Sequence, residues 1–289
     1  MFVKEIGERG VLFTFSGRDF PYLGDTSVYL INAGHYFFVC DTHLGPQSME
    51  PVKKYMAVEG EKKQTIVFNS HSDWDHVWGN CAFEKAAIVG HETCRRRLKE
   101  VGDFELQIYS QYQNGNVKIL LPNLTFTSSL RYEDEEVEFL YAPGHTVDSV
   151  ICFDKKDSVL YVGDLVEYPI PYLDFLDLEA YIKSLELIKN LHAKIIISAH
   201  SGLVDESLID DNISYIKSVL CSNPVDFKNG DAKSRHDYNI KNIMVLTYEK
   251  ISRAKLKEKF DYNSFRRRFL NIDNMSYREL KKGLQNYNA

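Results

Sequence analysis

No run of about 18 apolar residues occurs in this 289-residue chain, so no stretch has the length and hydropathy of a membrane-spanning helix. The opening residues, Met1-Phe2-Val3-Lys4-Glu5-Ile6-Gly7-Glu8, place acids where a secretory leader has a basic start and an apolar stretch. The five cysteines (Cys40, Cys81, Cys94, Cys152 and Cys221) never fall at CxxC spacing. An odd number in mostly apolar surroundings suits reduced core thiols, not a disulfide framework or a sulfur-ligated metal. The expectation is a soluble cytoplasmic protein. Basic residues are also scarce over most of the chain: residues 1–224 carry 20 Lys and Arg against 33 Asp and Glu, net −13. A body this acidic does not suit a nucleic-acid partner, whose phosphates need Lys and Arg to neutralise them. The remaining residues, 225–289, reverse the balance with 15 bases and 8 acids, net +7. We therefore divide the chain into a body (1–224) and a basic helical extension (225–289).

What is present is ordinary in bulk: 44% hydrophobic and 26% charged residues, enough to bury a substantial core. Aromatic and β-branched runs at 11–15, 27–32 and 36–40, separated by Gly-bearing turns, predict antiparallel strands. Pro46 predicts the start of a helix over 47–57. Further strands are predicted at 65–69, 86–90, 136–141, 147–153, 158–162 and 194–198, with helices at 92–101 and 178–191. Residues 102–135 are irregular apart from a few short strands. Strands with helices between the later ones imply a layered α/β protein.

The densest chemistry lies in Asn69-Ser70-His71-Ser72-Asp73-Trp74-Asp75-His76, directly after the strand Thr65-Ile66-Val67-Phe68. Imidazoles and carboxylates crowded this closely are costly to pack without a cation, because the carboxylates repel one another and desolvated charges need partners, so the stretch reads as a metal site. Other strand ends repeat the theme: His145 follows Pro143-Gly144, Asp164 follows Gly163, and His200 follows Ala199. Alone, each is as readily a turn residue or helix cap; together they look like ligands on loops held by a rigid sheet.

In order and spacing these residues resemble the metallo-β-lactamase superfamily: a strand followed by Asp41, an HxHxDH-like motif at His71 to His76, Gly144-His145, Gly163-Asp164, and His200. The likeness runs over residues 10–215. It implies a four-layered αββα sandwich, with one metal held by His71, Asp73 and His145, a second by Asp75, His76 and His200, and Asp164 bridging them. It further implies that Asp41 orders the ligands from behind and that Asp75 is catalytic, orienting a metal-bound hydroxide and relaying its proton. The activity implied is that of a metal-dependent hydrolase acting on a small-molecule ester, thioester, lactone or phosphodiester.

Asp73 departs from the pattern, since the family usually has His there and this motif reads HxDxDH. A carboxylate oxygen lies as many bonds from Cβ as the near ring nitrogen of His, so Asp73 can serve as a ligand; it can also stand outside the shell of a one-metal site, or mark lost activity. Three carboxylates would partly neutralise the metals. Two divalent ions are expected, zinc first, with iron or manganese as the alternatives that harder ligands favour. A carboxylate at this position is similar to the flavodiiron proteins, which gives a non-hydrolytic diiron protein binding or reducing oxygen or nitric oxide as the alternative function.

Substrate contacts are expected from Tyr22, in the loop 18–23, and from Tyr168 and Tyr172, in an aromatic and proline-stiffened loop after Asp164. His43, two residues from Asp41, is the one further histidine of interest. In the extension, three short helices are predicted at 249–260, 262–270 and 276–286, capped near Asp261 and near Asp273 or Asn274. The run Arg266-Arg267-Arg268 suits packing on the body or on a second subunit, a polyanion contact, or a clamp for an anionic substrate similar to the tail of glyoxalase II enzymes. A homodimer is the default assembly.

Overall fold

The computed structural model describes residues 1–17, 24–59, 63–227 and 229–287. Among them, a seven-stranded sheet runs in chain order: β1 (Phe2–Ile6), β2 (Gly10–Phe15), β3 (Thr26–Asn32), β4 (Tyr36–Cys40), β5 (Gln64–Phe68), β6 (Ala87–His91) and β7 (Leu124–Phe126). Pairing is antiparallel from β1 to β4 and parallel from β4 to β7. Helices supply the parallel crossovers: α1 (Glu50–Glu59), the short α2 (Trp74–Val77) and α3 (Glu92–Ile108). A second sheet of six strands contains β8 (Ser129–Tyr132), β9 (Val137–Tyr141), β10 (Val150–Asp154), β11 (Val159–Tyr161), β12 (Ile195–Ser198) and β13 (Gly202–Val204), ordered β13-β12-β11-β10-β9-β8. Helix α4 (Leu178–Asn190) joins β11 to its parallel neighbour β12, and α5 (Glu206–Leu220) follows β13.

The layers follow from side-chain alternation. On β3, Tyr29 and Ile31 face the second sheet while Val28 and Leu30 face α1; all four are buried, which is why the run reads as continuously apolar. Between the sheets, Phe38, Phe68, Phe139, Cys152 and Tyr161 form a dry seam, with the Phe68 and Phe139 rings stacked at 4.4 Å. Each such side chain stabilises the fold by roughly 1.5–3 kcal/mol relative to exposure. The outer face of the second sheet packs Ile151, Leu160 and Ile196 against Tyr181 and Leu185 of α4 and Ile213 of α5. The result is the four-layered αββα sandwich.

Several local expectations are corrected. Residues 46–49 form turns, and α1 begins at Glu50. Helix α3 extends to Ile108, because Cys94, Leu98, Val101 and Phe104 continue one buried stripe. Helix α5 and strand β1 carry no expectation from the sequence; β1 is exposed at four of its five positions and so lacks the half-buried alternation. In the extension, the helix predicted over 249–260 is the end of a 27-residue α6 (Gly230–Leu256), followed by α7 (Tyr262–Arg267) and α8 (Tyr277–Tyr287). Asp261 caps α7 by accepting from the Ser264 N–H. Ser276 caps α8 in place of Asp273 or Asn274, exchanging bonds with Glu279: the Ser276 N–H donates to Glu279 Oε2 at 2.9 Å and the Glu279 N–H to Ser276 Oγ at 3.3 Å. These helices share a small core of Val245, Phe265, Phe269, Ile272, Leu280 and Leu284. No helix among the described residues is long and apolar enough to cross a membrane.

Candidate metal centre

Four segments leaving the C-terminal ends of strands bring seven side chains together. The loop after β5 supplies His71 and Asp73, and its continuation into α2 supplies Asp75 and His76. The turns after β9, β11 and β12 supply His145, Asp164 and His200. Gly163 holds a left-handed φ of +53°, and a side chain there would collide with Ser70, so the residue before Asp164 must be small and backbone-permissive.

The seven fall into two groups around Asp164. In one, Asp73 Oδ2 lies 3.5 Å from His71 Nε2 and 3.4 Å from His145 Nε2. In the other, Asp75 Oδ2 lies 3.2 Å from His200 Nε2 and 3.7 Å from His76 Nε2. Asp164 Oδ2 faces all four imidazoles, at 3.2 Å from His76, 3.4 Å from His200, 3.8 Å from His71 and 3.9 Å from His145. Donors about 2.0–2.1 Å from a tetrahedral ion stand about 3.3 Å apart, so this spacing fits one cation in each group. The polar atoms agree: His71 Nε2, His76 Nε2 and Asp164 Oδ1 are buried without a hydrogen-bond partner among the described residues, which is costly unless something else satisfies them.

Partners behind the ligands aim them. Asp41, itself at a left-handed φ of 61°, accepts the Ser70 N–H and hydroxyl at 2.7 Å each and the Tyr161 hydroxyl at 2.7 Å, and meets His76 Nδ1 at 2.8 Å. Ser70 Oγ lies 2.9 Å from His71 Nδ1, and the Asp25 carbonyl 3.1 Å from His200 Nδ1. Each of these contacts leaves Nε2 for the centre. His43 instead stacks on Phe15 at 4.5 Å, and burial pushes it down to about 3, keeping it neutral.

The charges need one another. Burial alone would push the Asp73 and Asp164 carboxyls up, but His71 and His145 outweigh it at Asp73, as His200 and His76 do at Asp164, and both are held well below the usual carboxylate range. Burial likewise disfavours the imidazolium at His145, yet Asp73 and Asp164 raise it to about 10. Without a metal, protons on His76, His145 and His200 supply the positive charge that the carboxylates demand.

The centre opens into a cavity of about 710 Å³. Tyr168, 65% exposed, and Tyr172 line it; Tyr22 lies outside the described residues. The opposite wall comes from the extension, including Arg235, Tyr238, Arg253 and Arg266. Arg235 stacks on the Tyr172 ring at 4.3 Å and donates to the Ile170 carbonyl at 2.7 Å. Asn239 and Asn242, on the same helix face, bond Pro171 and Leu173. The arginine run is divided: Arg266 faces the cavity, while Arg267 bonds Gln107 on α3.

The sequence reading singled out the run that contains Arg266 but missed Arg235, Tyr238 and Arg253, and also Arg97 and Glu105. Arg97 lies on the stripe of Cys94, Leu98 and Val101, and a charge on a buried face was the available signal. Glu105 lines the cavity with a buried, unpartnered Oε2; burial, and then Asp73, push its carboxyl up to about 8.

A family model described as the metallo-beta-lactamase superfamily matches residues 21–200. "Beta-lactamase-like protein 2 homolog" of Drosophila melanogaster is 26% identical over 196 residues, covering 64% of this chain and 62% of that protein. The chain thus spans less than two thirds of that curated relative's length. Among solved structures, a metallo-beta-lactamase from Pontibacter korlensis superposes with a TM-score of 0.60 at 17% identity, covering 75% of this chain and 98% of its own. A metallo-beta-lactamase from Hirschia baltica gives 0.58 at 17% identity, covering 78% and 98%. At these identities the structural likeness is one of fold.

Proposed function

The chain belongs to the metallo-beta-lactamase superfamily, and from that premise we propose that it is a metal-dependent hydrolase of small-molecule esters, thioesters, lactones or phosphodiesters. One observation carries the reading: seven His and Asp side chains converge, five of them lining a large cavity, and Nε2 of His71 and His76 is buried with no hydrogen-bond partner among the described residues. His71, Asp73 and His145 would hold one ion and Asp75, His76 and His200 a second, with Asp164 shared. Zinc is the first candidate; the three carboxylates favour iron or manganese as the alternatives. When bound, such ions supply Lewis acidity and lower the pKa of water towards neutrality.

The chain's own groups do the rest. Asp75 orients the attacking water and accepts its proton at a carboxylate oxygen. Burial would push this carboxyl up, but His76 and His200 outweigh it, so Asp75 is ionised and ready to accept. No Ser, Thr or Cys nucleophile is required. Tyr168 and Tyr172 offer flat apolar surface to the non-reacting part of the substrate, and Arg235 fixes the Tyr172 ring.

The test is metal content of protein purified without chelator, together with turnover of an ester, thioester, lactone and phosphodiester panel. About two zinc or manganese ions per chain, with turnover that drops at least about 100-fold in Asp75→Ala, is the expected result. Iron with an oxygen-sensitive spectrum and no turnover of the panel would overturn it in favour of a protein that binds oxygen or nitric oxide.

A further inference from the structure

The two oxygens of Asp73 face different ways. Oδ2 points to His71 and His145, whereas Oδ1 turns to Nη2 of Arg97 at 3.8 Å. Arg97 comes from α3 and is itself anchored: its Nε donates to Ser72 Oγ at 3.0 Å and stands 3.1 Å from Oδ1 of Asp148. Asp148 is fully buried, and neither of its oxygens meets an aligned donor among the described residues, so its compensation is the charge of Arg97 rather than a hydrogen bond. Ser72 adjoins Asp73 in the loop that carries His71, and Asp148 lies three residues after His145. One guanidinium therefore ties together both segments that form this half of the centre.

This arrangement answers to the carboxylate in the motif. An imidazole ligand is neutral and its second nitrogen offers an N–H donor, for which a guanidinium is no partner, whereas a carboxylate brings a negative charge and a second acceptor oxygen, and can swing about its Cβ–Cγ bond. A guanidinium left loose beside divalent ions would be repelled; the buried Asp148 holds it in place. We propose that Arg97 is a positioning residue paired with Asp73, fixing its outer oxygen and offsetting its charge so that the inner oxygen binds a metal. The proposal rests on the metal-site reading given above.

The experiment is a zinc titration against a chromophoric chelator, with cobalt spectra as a second readout. The proteins are wild type, Arg97→Met with Asp148→Asn (which removes both charges together), Asp73→His, and the combination of all three changes. Wild type is expected to bind two ions per chain. Removing the Arg97–Asp148 pair should weaken one ion by about 10–100-fold and leave the other unchanged, with a shift in the cobalt bands of that position alone. In the Asp73→His background the same removal should cost less than about 3-fold. Arg97→Lys keeps the charge but cannot serve Asp148 and Asp73 at once; it should show a smaller loss of the same ion in the Asp73 background only, which keeps the test open should the Met/Asn variant misfold. Equal losses in both backgrounds, or no loss with Asp73 present, would overturn the pairing. Fewer than two ions on wild type would overturn the two-metal site itself, and the pairing with it.

Discussion

At the sheet edge, each ligand sits within a few residues of a hydrogen-bonded strand, and backbone geometry with short polar partners aims it: Asp41 for His76, Ser70 for His71, the Asp25 carbonyl for His200. The opposite wall of the cavity is made differently. Helix α6 is fastened to the loop after Asp164 by side chains at a helical spacing, Arg235, Asn239 and Asn242, and stands on its own small core around Phe265. The first region concentrates charge and depends on a cation for satisfaction. The second is held by two neutral amides, by one arginine bonded to backbone carbonyls, and by apolar packing. The comparison therefore predicts that chemistry and metal binding separate from the stability of the wall.

The largest effect is expected at the wall. Phe265, fully buried in the extension's core, should cost about 3–5 kcal/mol on substitution by Ala, read by denaturant unfolding, with KM raised and metal content unchanged. Loss of metal in Phe265→Ala would break the comparison. On the other side, Asp41→Asn should weaken zinc binding by about 10–100-fold through the misaimed His76 ring, with KM for whatever substrate is found far less affected. A smaller change, Asn242→Ala, removes the hydrogen bonds that its Nδ2 donates to the Leu173 carbonyl at 3.0 Å and to Asp174 Oδ1. It should cost about 1 kcal/mol and alter KM without altering metal content.

A further expected effect is one of pH. In metal-free protein, burial pulls the His145 pKa down, but Asp73 and Asp164 raise it to about 10. A proton held more tightly when folded contributes stability that is complete below the unfolded value of about 6.5 and is lost as pH rises towards the folded one. Asp73, held low, does the reverse: its contribution is present above about 4 and lost as pH falls. The melting temperature of chelator-treated protein should therefore drop by roughly ten degrees between pH 7 and 10, while zinc-loaded protein shows no such drop. Zinc binding should release protons, visible as a buffer-dependent heat. An identical alkaline drop in both forms would contradict the charge balance.

The same contrast explains what could be read from the chain. The fold was legible because β3, β4, β5 and β9 are short β-branched and aromatic runs followed within three residues by Gly, Asp or His, and because a crowded HxDxDH motif has few meanings. Bringing seven separated side chains together needed the sheet order, which no local pattern contains. The wall was largely illegible. The face of α6 that meets the cavity carries Arg235, Asn239 and Asn242, so its apolar periodicity is broken, and one 27-residue helix passed for a short one near its end. Arg97 hid inside Arg95-Arg96-Arg97, where its neighbours bond the Pro122 carbonyl and Thr93; its place on the stripe of Cys94, Leu98 and Val101 was the one sign that this guanidinium turns inward.

The most direct test of the two-metal centre is anomalous diffraction from zinc-soaked crystals, collected on either side of the zinc absorption edge. The account predicts two peaks, one among His71, Asp73 and His145 and one among Asp75, His76 and His200, with Asp164 between them. A single peak on Asp75, His76 and His200, with the Asp73 carboxylate turned away, would contradict it.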